Sequence, residues 1–120
     1  MRNILLTYQN TKAWNGLSQE DNDVIMHAAG DIVEELSASG EWVAGEGLAD
    51  ALQAHSTHVR GGVVTVTDGP FLEAKEALAG YCVVDVATPE RAEEIAARWP
   101  DAQHWGMEIR ALMHGGGEEG

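Results

Sequence analysis

The chain has 120 residues, of which 44% are hydrophobic, and its 20 acidic and 7 basic side chains give a net charge of −13. This length fits a single domain with one buried core. The negative charge repels phosphate groups, so we expect neither a nucleic-acid partner nor an anionic membrane surface. The first residues form no secretory signal and no apolar run reaches membrane-spanning length, so we expect a cytoplasmic protein.

The first half of the chain predicts a strand followed by an amphipathic helix. Arg2–Tyr8 is short and mostly apolar, which is typical of a strand. Ser18 is placed to cap a helix, with acidic residues in its first turn and Gly40 at its end. Apolar residues recur between these two positions at helical spacing. They are Ile25, Ala28, Ala29, Ile32, Val33 and Leu36.

A glycine-punctuated region follows and predicts a second strand and a hairpin. Trp42–Ala44 favours a strand, and Gly45-Glu46-Gly47 is interpreted as a bend. Gly61-Gly62 separates two strand-like segments, as in a two-residue hairpin. These segments are Thr57–Arg60 and Val63–Thr67. Asp68-Gly69-Pro70 ends the hairpin, and Phe71–Glu76 is predicted to form one helical turn.

The last third predicts a strand, a helix and a strand. Tyr81–Val86 is strongly apolar and is expected at the centre of a sheet. Thr88-Pro89 begins a helix that Pro100 ends, with Ala92, Ile95, Ala96 and Trp99 on its apolar face. Trp105–Met113 predicts a last strand, and residues 115–120, rich in glycine and acid, are expected to form a disordered tail.

This order of elements predicts an α+β domain of the ferredoxin-like βαββαβ type with an inserted β-hairpin. Two helices then cover one face of an antiparallel sheet and leave the other face open. Because a large apolar face is costly in water, we expect the chain to form a homodimer through that face.

The segment Thr67-Asp68-Gly69-Pro70-Phe71, followed by Glu73, Lys75-Glu76, Gly80 and Tyr81, resembles the signature of YCII-related proteins of the DGPF type. The resemblance extends from Asn3 to Met113 and supports one domain over residues 1–114. It implies a dimeric α/β-barrel built from ferredoxin-like protomers. It implies no defined reaction, and some members of the group resemble partners of extracytoplasmic-function sigma factors.

Two candidate sites centre on Asp68 and on the last strand. The DGPF turn would direct Asp68, Glu73, Lys75 and Glu76 towards one cleft, with Asp68 as an acid or base and Phe71 and Lys75 as ligand-binding residues. The alternative is a purely structural turn. Glu108 and Arg110 are two apart on a strand and share one face, which we expect to be the open one. There Arg110 would bind a ligand carboxylate beside Tyr8 and Tyr81, or pair with Glu108 at the dimer rim.

His27 is a further catalytic candidate. In the wider YCII-like family the implicated residues are a His on the first helix and an Asp-Pro-Tyr stretch near the end of the second. His27 lies near the first position, whereas Trp99-Pro100-Asp101 replaces the second motif. On the helical wheel His27 falls opposite the apolar stripe, between Asp23 and Asp31, which also fits a solvated acidic face.

The sequence predicts no metal and no cofactor. The five histidines have no zinc-binding spacing, since His55 and His58 would lie on opposite faces of a strand. Cys82 lies in an apolar run and is expected to be a buried small hydrophobe. Two functions therefore stay open: a small-molecule-binding dimer with cofactor-free acid–base chemistry on a polar metabolite, and a non-catalytic regulatory or interaction protein with a basic partner.

Overall fold

A computed structural model describes residues 1–70 and 75–113 of the chain. Its strands are β1 (Arg2–Gln9), β2 (Trp42–Gly47), β3 (His55–Arg60), β4 (Val63–Asp68), β5 (Ala77–Asp85) and β6 (Met107–Ala111). Its α-helices are α1 (Thr11–Asn15), α2 (Gln19–Ser39), α3 (Pro89–Arg98) and α4 (Pro100–His104), and a 3₁₀ turn covers Ala51–Gln53.

Four strands form one antiparallel sheet in the order β2-β5-β1-β6, and β3 pairs with β4 in a separate hairpin. The strand that begins the chain therefore lies inside the sheet, between β5 and β6. This order, with two longer helices between the strands, confirms the predicted α+β class and is compatible with the ferredoxin-like arrangement.

The core lies between one face of the sheet and the helices α2 and α3. Because side chains alternate along a strand, Leu5 of β1 and Cys82 and Val84 of β5 point to the same side and are fully or almost fully buried. They belong to one apolar cluster with Ile32, Leu36, Ala92 and Ile95 of the two helices. This cluster fixes which face of the sheet is covered.

The helix ends agree with the capping residues in the sequence. The Ser18 hydroxyl accepts a hydrogen bond from the backbone N–H of Asp21 at 3.0 Å, and Gly40 ends α2 with a φ of 86°. Thr88 caps α3 in the same way, with Pro89 at its first position. These two helices were predicted because their signals are local.

Several sequence-based expectations differ from the structure. Two are strand bounds: β3 begins at His55 and not at Thr57, and the last strand covers Met107–Ala111 and not Trp105–Met113. The segment Gly45-Glu46-Gly47 is not a bend but the end of β2, and a Cβ atom at Gly45 would lie 2.5 Å from the Trp42 ring. Glycine stands there because the Trp42 ring lies against the strand. Pro100 does not only end α3; it also begins α4. Finally, β5 begins at Ala77, earlier than Tyr81, because β1 pairs with Ala77 and Leu78 and both neighbouring strands pair with Gly80.

Some predictions fall outside the described residues. The helical turn at Phe71–Glu76 lies largely there, since only Lys75 and Glu76 are described and neither is helical. The expected disordered tail at residues 115–120 lies there entirely. Among the described residues, no helix combines the length and the apolar character needed to cross a membrane.

Candidate functional site

A cleft of about 330 Å³ opens between α2 and the β2–β5 side of the sheet, on the face that the helices cover. Its volume falls in the range of small-molecule sites. Its wall is mainly apolar and comes from α1, α2, β2, β5 and the turn between α3 and α4. Lining residues include Trp14, Ile25, Ala29, Val33, Trp42, Gly45, Gly80, Cys82 and Trp99.

Three tryptophans form much of this wall, and each is held by its surroundings. Trp42 lies across Gly45, where a side chain would collide with it. Trp14 meets Trp105 edge to face, with ring centroids 6.0 Å apart. Trp99 is buried between α3 and α4. Fixed aromatic walls of this kind favour a flat or apolar part of a ligand.

Asp101 supplies a carboxyl group to the same cleft. It lies in the first turn of α4 and is 4% exposed. The side-chain amide of Gln9, from the end of β1, donates a hydrogen bond of 2.7 Å to its Oδ2 atom. Burial raises the pKa of Asp101 above its ordinary value, and the hydrogen bond from Gln9 acts in the opposite direction.

Asp101, Gln9 and Thr7 are thus polar groups on a mainly apolar cleft, which Glu46 and Tyr81 also border. The carboxyl group and the amide can each bond to the polar end of a small molecule. A carboxyl whose pKa is raised is also closer to the range in which it can exchange a proton near neutral pH. The cleft can therefore orient a ligand and offer it a proton acceptor or donor.

The open face of the sheet carries the predicted cluster around the last strand. Glu108 and Arg110 lie opposite Leu6 and Ile4 of β1, so both share the open face as predicted. The hydroxyl of Tyr8 donates a hydrogen bond of 2.8 Å to Glu108, which raises the pKa of Tyr8, and the charge of Arg110 opposes that shift. Tyr81 lies across from Leu6 on the same face.

The structure places Asp68 away from both the cleft at Asp101 and the open-face cluster at Glu108. Asp68 is the last residue of β4, its side chain is 95% exposed, and its carboxylate lies 3.3 Å from Nδ1 of His55 on the paired strand. Asp68 and Lys75 both border an open groove at the base of the hairpin. Phe71 lies outside the described residues. A role for these three residues stays a prediction.

His27 lies on the outer face of α2, away from the sheet. Its side chain is 84% exposed, and Nε2 lies 3.9 Å from the carboxylate of Asp31 one turn along. The predicted exposed position of His27 is therefore confirmed, but Ala28 of the predicted apolar stripe is exposed on the same side of α2. The catalytic role of His27 stays a prediction.

The remaining candidate ligands and nucleophiles are dispersed. Within residues 1–70 and 75–113, no three His, Cys, Asp or Glu side chains converge as they would around a metal ion. Cys82 is 2% exposed, and burial raises the pKa of its thiol to about 12. A thiol in this environment is a poor nucleophile at neutral pH.

Sequence reasoning did not nominate Asp101, Gln9 or Trp14 as site residues. Asp101 was visible in Trp99-Pro100-Asp101, an acid directly after a proline that follows an apolar helix face. A residue directly after Pro100 lies in the first turn of a helix, next to the buried end of α3. For Gln9 and Trp14 no local signal existed, because they reach the cleft from the end of β1 and from α1, and only the folded chain brings these two elements to it.

Fold and cleft together define the chain as a ferredoxin-like α+β domain with a tryptophan-walled cavity beneath its first long helix. A model of the YCII-related domain matches residues 1–114, and the chain therefore belongs to the YCII-related family. No curated protein matches the chain.

Proposed function

We propose that this YCII-related protein binds a small molecule in the tryptophan-walled cleft and that Asp101 is available for cofactor-free acid–base chemistry on it. The observation that carries the proposal is the buried carboxyl group of Asp101 on a mainly apolar wall. Burying a charged group costs free energy that packing alone does not return, and such groups concentrate at binding sites.

The shape and chemistry of the cleft indicate the ligand class. The tryptophan walls suit a flat, weakly polar body, whereas Asp101 and the Gln9 amide suit a polar end that offers hydrogen-bond donors and acceptors. The acidic surface of the chain disfavours a polyanionic ligand. We therefore expect a small polar metabolite with a planar part and little negative charge.

A cleft-filling variant tests the binding. Ala29 lines the cleft from α2, so Ala29→Phe would occupy it, whereas Ala38→Phe adds the same group on an exposed part of the same helix. We expect native mass spectrometry of the purified chain, or thermal shifts with a panel of polar metabolites, to detect a ligand in the wild type and in Ala38→Phe. Ala29→Phe should lose it. Equal binding by both variants would contradict the cleft as the site.

Asp101→Asn separates binding from chemistry. The asparagine carbonyl can still accept the hydrogen bond of Gln9, so the ligand should still bind, while proton transfer at this position is lost. Turnover of the bound compound, followed by NMR, should fall at least about 100-fold. Unchanged turnover would exclude Asp101 as the acid or base.

We also propose that the chain forms a homodimer through the open sheet face. Ile4, Leu6, Tyr81 and Val83 are only half-buried there, and the Tyr8–Glu108 pair lies beside them. Pairing would enclose the predicted ligand-binding residues Tyr8, Tyr81, Glu108 and Arg110 between two copies.

The strongly acidic surface favours the second candidate function, a non-catalytic interaction protein with a basic partner. A stoichiometric protein partner that dissociates as salt rises, without a retained metabolite, would favour this alternative.

A further inference from the structure

The described lining of the tryptophan-walled cleft is rich in aromatic rings and contains no basic side chain. Trp14 reaches the cleft from α1, Trp42 from β2 and Trp99 from the turn between α3 and α4. None of the described residues that line it is Lys, Arg or His. Indole rings attract cations more strongly than the rings of tyrosine or phenylalanine do. A lining of this composition therefore favours a positively charged ligand.

Asp101 carries the negative charge of this cleft. Glu46 also borders the cleft, but it lies opposite Tyr81 on β5, whereas the neighbouring Gly45 lies opposite the buried Cys82. Because side chains alternate along a strand, the carboxylate of Glu46 belongs to the open face of the sheet. Of the two acidic side chains among the described lining residues, that of Asp101 is therefore the one on the covered side, where a ligand would lie.

The buried carboxyl group of Asp101 is costly as an anion unless a positive group accompanies it. Gln9 offers it a neutral amide, and burial, the largest effect on the pKa of Asp101, raises that pKa. The charge of His104, an exposed residue of the same helix, opposes the shift and is the smallest of the effects. A carboxylate can accept about four hydrogen bonds, so Asp101 can accept a further one beside that of Gln9. A protonated amine supplies both a positive charge and this hydrogen bond.

We propose that the cleft selects a protonated amine whose ammonium group donates a hydrogen bond to Asp101 and lies among the tryptophan rings. The inference rests on the proposed function, since it names the chemical class of the small molecule that the cleft binds. The net charge of −13 attracts such a cation and repels an anion. In the complex the positive charge favours the ionised form of Asp101, which is the form that accepts a proton.

Three probes with the same ring and different charges test this selectivity. Benzylamine is a cation at neutral pH, benzyl alcohol is neutral and benzoate is an anion. NMR titration of the purified chain with each probe, at about 150 mM salt to screen the exposed acidic groups, gives the dissociation constants. We expect benzylamine to bind at least about ten-fold more tightly than benzyl alcohol, and benzoate to bind most weakly.

Variants of the cleft locate the selectivity. Asp101→Asn should still bind benzylamine, but about ten-fold more weakly, and should bind benzyl alcohol within about two-fold of the wild type. Trp14 lies outside the apolar core cluster, so Trp14→Leu should keep the fold. Its preference for benzylamine over benzyl alcohol should fall about three-fold, because leucine has no ring to attract the cation. A preference that neither variant changes would overturn the proposal.

The cleft-filling variants distinguish failure of this inference from failure of the proposed function. Ala29→Phe should lose benzylamine binding, and Ala38→Phe should keep it. If benzyl alcohol binds at least as tightly as benzylamine and Ala29→Phe abolishes both, the selectivity for amines is wrong and the cleft remains a binding site. If Ala29→Phe and Ala38→Phe bind every probe alike, or if the wild type binds none of them at up to about 10 mM, both proposals fail.

Discussion

Burial of Asp101 lowers the stability of the fold and also raises the pKa of its carboxyl group towards the range useful for proton exchange. Its carboxyl group is buried beside Trp99 and accepts a hydrogen bond from Gln9. Because burial raises its pKa, the folded chain binds a proton that the unfolded chain releases in the interval between the ordinary and the raised value. In that interval the free energy of unfolding decreases as pH rises.

Replacing Asp101 should remove this pH dependence. We expect Asp101→Asn to be more stable than the wild type at neutral pH, with the difference vanishing below the ordinary aspartate pKa. Asp101→Ala should be less stable than Asp101→Asn by about 1–3 kcal/mol, because it leaves the Gln9 amide without its acceptor. Urea unfolding at a series of pH values measures both. A wild type more stable than Asp101→Asn at neutral pH would contradict the assigned cost.

Gly45 is a second residue whose identity follows from the cleft. A Cβ atom there would lie 2.5 Å from Cη2 of Trp42 and 2.9 Å from Cβ of Cys82. We expect Gly45→Ala to displace Trp42 and to lower the free energy of unfolding by about 1–3 kcal/mol.

Gly47 is the matched control for Gly45. It lies in the same strand, and a Cβ atom there would meet nothing within 4 Å. Gly47→Ala should therefore be neutral or slightly stabilising. Thermal unfolding of the two variants compares them, and equal losses would mean that strand flexibility, and not Trp42, determines the effect.

At the scale of elements, one ion pair joins the end of α2 to the start of α3. Nε and Nη2 of Arg91 lie 2.8 and 2.9 Å from the two carboxylate oxygens of Glu41. Hydrogen bonds from Arg91 and Ser39 lower the pKa of Glu41 to about 2. Since the pair is bidentate and mostly covered, it contributes more than a surface pair.

Glu41→Gln should therefore weaken the packing of the two helices. We expect a loss of about 2 kcal/mol at neutral pH. The folded pKa is below the ordinary value of 4.5, so the stabilisation is present above pH 4.5 and is lost as pH falls towards 2. The wild type and Glu41→Gln should thus converge in acid. Glu35→Gln removes the more exposed ion pair with Arg98 and should lower the free energy of unfolding by less. Urea unfolding in which Glu35→Gln loses more stability than Glu41→Gln would contradict this.

The elements differ in how well the sequence predicts them. α2 and α3 have side-chain caps and apolar stripes, which act within one helix, so both were predicted. The first residues of β5, Ala77 to Gly80, favour no strand by themselves, and pairing with β1 and β2 gives them this structure. The five-residue helices α1 and α4 are too short to carry a periodic signal.

At the scale of the whole molecule, the sheet has one covered and one open face. Leu6 lies on the open face between Tyr81 and Glu108 of the neighbouring strands. If the proposed homodimer forms there, a charge at this position would be buried without a partner.

Leu6→Asp should consequently convert the dimer to a folded monomer. We expect sedimentation velocity at micromolar concentration to show a dimer for the wild type and for the control Leu52→Asp, whose site is 77% exposed and outside the sheet. Circular dichroism checks that Leu6→Asp keeps its fold. A wild type that sediments as a monomer would contradict the dimer and the enclosed site at Tyr8 and Arg110.

The candidate sites, like the helices and strands, were predictable only where the sequence signal is local. Strand alternation is a local rule, and it correctly placed Glu108 and Arg110 on one open face. The cleft depends on how α1, α2 and α4 pack over the sheet, and no periodicity reports that packing. Residues such as Gln9 and Asp101 therefore meet only in the folded chain.

The position of β1 has a consequence for biosynthesis. During synthesis β1 is made before both of its neighbours in the sheet, β5 and β6, which begin only at residues 77 and 107. The nascent segment consequently waits with unsatisfied backbone groups until most of the polypeptide has emerged. A chaperone that shields short apolar stretches should therefore bind the partly synthesised chain and release it when β6 becomes available to pair with β1.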